Sequence, residues 1–194
     1  MNLVATESLY LMLSNKARCQ QLFQKGNRTE EDITDFLVSL HLVLELGLNA
    51  FFRQVIMMQL QKGISRTEVA DNLDKISFID KACLFVYMPH YSFDGRITDA
   101  DRYHSLIGKL RNFAGIRNKL LHGHMVGLIV YENGNTDQST THQLLTEQTL
   151  NRQIEDFKFI MEGLSFYLDH LDSSFTPSGK ESLKNQYLDV SFLE

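Results

Sequence analysis

Apolar residues recur at three- and four-residue steps through most of this chain, and each such run predicts a helix. Residues 3–25 carry Leu3, Leu9, Leu13, Ala17 and Phe23 at roughly helical spacing and end near Gly26. Asn27 to Glu31 follows as a turn, with Thr29 as N-cap and Asp32 three residues on, a close variant of the capping box. The very apolar segment from Ile33 to about Leu60 is long enough to cross a membrane. It contains His41, Glu45 and Arg53, which are costly in hydrocarbon, so it is expected as the central helix of a soluble bundle. After a break at Gly63 to Arg66, Val69, Leu73, Ile76, Ile79 and Leu84 predict a helix over 67–88, stopped by Pro89. His90 to Thr98 reads as a loop, in which Tyr91 and Phe93 beside Arg96 either stack on bases or anchor the loop to the bundle.

Thr98 with Asp101 opens the next helix. After His124 the period changes: Met125 to Tyr131 is β-rich, Asn133-Gly134 is a hairpin signal, and Gln138 to Leu145 suits a returning strand. The last long helix is expected over Glu147 to Leu171, with Leu150, Ile154, Phe157, Met161, Leu164 and Leu168 as its apolar face. Asp172 to Gly179 reads as a linker, Lys180 to Leu188 as one short helix, and Val190, Phe192 and Leu193 as apolar enough to dock. The expected fold is all-α: an up-down helical bundle over 1–171, with a small β-hairpin inserted around 125–145 and a linker and docking segment over 172–194.

Composition narrows the function. Apolar residues make up 43% and charged residues 22%, as in soluble globular proteins. Nineteen basic against 24 acidic residues give a net charge of −5, so any nucleic-acid contact must come from a local basic patch. Cys19 and Cys83 are lone cysteines in helical patterns, which favours a reduced, cytoplasmic setting over a disulfide framework. There is no CxxC, no HExxH and no carboxylate cluster at ligand spacing, so neither metal nor cofactor is expected. The N-terminus has no basic region or small-residue cleavage site, so a signal peptide is not expected either.

Chemistry concentrates in Leu106 to His124, LIGKLRNFAGIRNKLLHGH. Leu106, Leu110, Phe113 and Leu121 form an apolar stripe in which Arg117 fills the position between the last two. Asn118 and His122 are four apart and share an adjacent face, and Gly123 follows as a helix cap would. Cations before a terminal Gly are also an ordinary helix stop signal, which accounts for Lys119 and His122 better than for Arg117 within the stripe. On the long central helix, His41, Glu45 and Asn49 fall at four-residue steps. They read first as a solvent-facing polar strip. The alternative is that they look across at the motif, where Glu45 or His41 would orient Arg117 or His122.

Arg117-Asn118-Lys119-Leu120-Leu121-His122 reads R-N-x-x-x-H and resembles the signature of the HEPN family. That resemblance implies an all-α domain and a metal-independent endoribonuclease of toxin–antitoxin, abortive-infection or CRISPR type. It also implies two protomers that bring their motifs together across a dimer interface. Some toxin members carry a Tyr two residues after the His, modified by a partner antitoxin; here that place is His124.

Metal-free RNA cleavage needs a base for the 2′-hydroxyl, an acid for the leaving 5′-oxygen and a cation for the phosphorane. Arg117 suits the phosphate, His122 proton transfer and Asn118 a supporting contact, with Glu45, His41 and His124 as candidates around them. One chain offers one such His, so acid and base together ask for a homodimer. The expected partners are thus RNA, a second copy and an antitoxin protein, with no membrane. The competing readings are a catalytically silent helical dimerisation module and, without a glycine-rich loop to support it, a mononucleotide-binding module.

Overall fold

A computed structural model describes residues 7–59, 72, 75–92, 100–121, 128–130, 136–138, 144–171 and 176–194. The fold is all-α. Its helices are α1 (Glu7–Phe23), α2 (Glu30–Gln59), α3 (Phe78–Ser92), α4 (Ala100–Leu121), α5 (Glu147–Asp169) and α6 (Pro177–Leu183). The chain ends in a π-helical turn, Lys184–Leu188, and a 3-10 turn, Ser191–Leu193. Leu128–Val130 and Thr136–Gln138 are three-residue strands, β1 and β2, paired antiparallel with Leu128 opposite Gln138.

The 30-residue α2 is the centre, packed against α1, α3, α4, α5 and the π-turn. It is the one helix among the described residues long and apolar enough to cross a membrane, and most of that stretch is buried inside the fold. Its start is the capping box read from the sequence. Asp32 Oδ2 accepts from Thr29 N at 2.8 Å, and Asp32 N donates back to Thr29 Oγ1 at 3.2 Å. Arg28 locks the preceding turn: it donates to the Leu22 and Phe23 carbonyls at the end of α1 and pairs with Glu147 at the start of α5. Leu37, Leu40, Leu44, Leu48, Phe51, Phe52 and Val55 line the core along α2.

Helix α1 buries a different face from the expected one. Met12, Lys16, Cys19 and Leu22 point inward, while Leu13 is 53% exposed and Ala17 is also exposed. The buried row contains a lysine, which hides it from an apolar-period search. Lys16 lays its stem along the core and ends over the Phe192 ring, donating to the Asp189 carbonyl at 3.2 Å.

Helix α3 begins at Phe78, later than the spacing predicts, because Ser77 and Asp80 form a cap there: Asp80 N donates to Ser77 Oγ at 3.1 Å. Ala82, Phe85 and Val86 are its buried residues, and Leu84 is exposed. Pro89 does not stop the helix, which runs on to Ser92 and takes in His90 and Tyr91 from the expected loop. Proline's fixed φ is itself helical, so the cost is one missing N–H donor and ring crowding. The rest of that loop, with Phe93 and Arg96, lies outside the described residues.

Thr146 caps α5, accepting from Thr149 N at 3.1 Å, and all six residues of the expected α5 face are buried. The expected 172–179 linker is shortened from its far side. Thr176 caps α6, with Pro177 at the first helical position, where its missing N–H costs nothing. Leu183, Tyr187, Leu188, Phe192 and Leu193 join the same core as α1, α2 and α5.

Candidate functional site

Helix α4 carries the motif and is tied down along one side. Leu106 sits against Gly163 of α5, where a Cβ would come within 3.1 Å of Leu106 Cδ1. One turn on, Lys109 pairs with the buried Asp156, which also accepts from Asn112 at 3.4 Å. Phe113 then packs between two helices, 6.3 Å from the Phe157 ring and 4.0 Å from the His41 ring. Another turn on, Arg117 Nη2 lies 3.1 Å from Glu45 Oε2. His41 meets Phe113 and Glu45 meets Arg117, each pair one turn further along its helix, so α2 and α4 run in the same direction past each other.

The polar strip of α2 therefore does not face solvent. His41 is 5% exposed, Glu45 and Asn49 are half-buried, and Asn49 Oδ1 accepts from Lys81 Nζ at 2.8 Å. Glu45 orients Arg117, as the alternative reading of the spacing anticipated. His41 does not, because its Nε2 has no hydrogen-bond partner among the described residues. Burial, and then the positive charge of Arg117, push the His41 imidazole down to about 3. A ring that stays neutral throughout the physiological range is a packing group here and a poor proton donor.

Arg117 is half-buried and Asn118 is exposed beside it, with Arg117 Nη1 donating to Asn118 Oδ1 at 3.2 Å. Arg117 Nε is buried without a partner. His122 follows Leu121, the last described residue of α4, and both His122 and His124 lie outside the described residues. Of the motif, then, Arg117 and Asn118 are brought together with Glu45 and His41.

These four residues border a cleft of about 350 Å³ between α2, α4 and the start of α3. Sequence reasoning missed its third wall, made by Ile76, Ser77, Phe78, Ile79 and Lys81. Lys81 is 3% exposed. A lysine in a helical pattern reads as a surface residue, so the sequence carried no signal for its burial. Compared with protein-family models, curated proteins and solved structures, the chain matches none of them.

Proposed function

We propose that this chain is a metal-independent endoribonuclease of HEPN type, cytoplasmic and acting in a bacterial defence or toxin–antitoxin system. In this reading the helices form an up-down bundle, the 125–145 segment is a hairpin inserted after the motif, and two copies join their motifs in one composite site. The observation that carries it is the pairing of Arg117 with Asn118 at the mouth of an open cleft in the last turns of α4, with His122 next along the chain after Leu121. Arg117 supplies a permanently charged fork for the scissile phosphate and for the charge that builds on the phosphorane. His122 at a helix C-terminus suits proton donation, since the dipole favours its charged form. The second histidine comes from the other copy. An antitoxin protein would hold this activity in check, by a route other than modification of a Tyr at the place of His124.

A second reading is a catalytically silent dimerisation module, and one observation favours it: Arg117 is already paired within its own chain with Glu45. The test is cleavage of a mixed RNA pool in EDTA by the wild type, Arg117→Ala and His122→Ala. The nuclease reading expects 2′,3′-cyclic phosphate ends from the wild type alone, with all three proteins folded and equally associated. Absence of cleavage, together with loss of association in Arg117→Ala, would select the dimerisation module.

A further inference from the structure

Apart from Arg117 at its rim, the cleft is not used by the chemistry proposed above, and its composition is unusual for packing alone. One side is apolar, formed by Leu44, Ile76, Phe78 and Ile79. The other brings two cations, Lys81 and Arg117, against one carboxylate, Glu45, so its lining carries a net positive charge in a chain that is acidic overall. The first turn of the 15-residue α3 also borders it, which adds the positive end of a helix dipole. At its edge stands His41, 95% buried, with an Nε2 that no described residue satisfies. Buried polar atoms of this kind are nearly always met by something, because leaving one unmade costs roughly 1–3 kcal/mol.

We propose that this cleft is a binding site for a small organic oxyanion. Its anionic group lies between Lys81 and Arg117 and takes a hydrogen bond from His41 Nε2, and its apolar or aromatic body rests on Ile76, Phe78 and Ile79. Glu45 limits the charge that the site accepts. With one carboxylate set against two cations, a singly charged carboxylate or phosphate diester is matched better than a dianion. The volume suits a ligand at the small end of the usual range for such sites. A bound oxyanion would compete with Glu45 for the Arg117 guanidinium.

Calorimetric titration of the full-length protein with benzoate, methyl phenyl phosphate and phenyl phosphate tests this. Saturable binding of one or both monoanions is expected, with neutral benzyl alcohol failing to bind. His41→Phe keeps a ring against Phe113 and removes Nε2, and should weaken binding about tenfold, the worth of one hydrogen bond to a charged group. Ile79→Trp, which fills the apolar side without touching a charge, should abolish it. Benzoate or the diester binding alone would identify the anion class. The proposal is overturned if no probe saturates up to about 10 mM, weaker than any useful affinity, or if both folded variants bind as the wild type does. The readout is binding, not cleavage, so it is decided separately from the nuclease reading.

Discussion

Arg117 Nη2 and Glu45 Oε2 stand 3.1 Å apart, joining the motif end of α4 to the middle of the central helix. Both side chains are about one-third exposed (33% and 30%), so water screens the pair and its worth is modest. Glu45→Gln should cost no more than about 1 kcal/mol in urea unfolding. A double-mutant cycle with Arg117→Gln measures the coupling directly. A coupling well above about 1 kcal/mol would mean that the pair is a structural clamp.

The same release bears on function. With its carboxylate gone, Arg117 is free to turn toward an incoming anion, so Glu45→Gln should bind oxyanions more tightly than the wild type. Two- to tenfold is expected for removing one nearby like charge. Weaker binding in Glu45→Gln would mean that the carboxylate holds Arg117 in its binding position.

His41 makes stability depend on pH. The unfolded imidazole titrates near 6.5 and the folded one near 3, so between those values only the unfolded chain takes up the proton. The contribution is fully present above 6.5 and is lost as pH falls toward 3. Its slope approaches at most about 1.4 kcal/mol per pH unit. Urea unfolding at about pH 7 and about pH 5 should show a drop in the wild type that His41→Phe reduces. Equal drops in both proteins would place the loss elsewhere.

Phe113 is fully buried between His41 and Phe157, at the point where α4 meets both α2 and α5. Phe113→Ala should cost about 3–5 kcal/mol, from lost transfer energy and the cavity left behind. Because the ring also seats His41, oxyanion binding in any folded fraction should fall with it.

Gly163 is set by close approach. Its missing Cβ leaves room for Leu106, and a side chain there would meet Leu106 Cδ1 at 3.1 Å. Gly163→Ala should be close to neutral, since helix propensity offsets a small shift of one leucine. Gly163→Val should cost about 1–3 kcal/mol by overpacking, read as a fall in Tm.

Much of this was legible in the sequence because it is local. The α5 face is a run of apolar residues at three- and four-residue steps with no competing pattern, and all of them are buried. The Thr29–Asp32 box depends on atoms three residues apart, so its hydrogen bonds follow from the sequence. That His41, Glu45 and Asn49 share a face is likewise a matter of helical period.

Where that face points was decided only by tertiary structure. Four-residue spacing of polar groups looks the same whether they meet water or the polar side of another helix. Only the placement of α4 and α3 turned the strip into one wall of a cleft. The burial of Lys16 and Lys81 has the same origin, since a charged side chain can be taken out of water only when acceptors from distant parts of the chain come to it, here the Asp189 carbonyl and Asn49. Local period and capping determined the helices of this protein. Long-range packing decided which of their polar residues became a site.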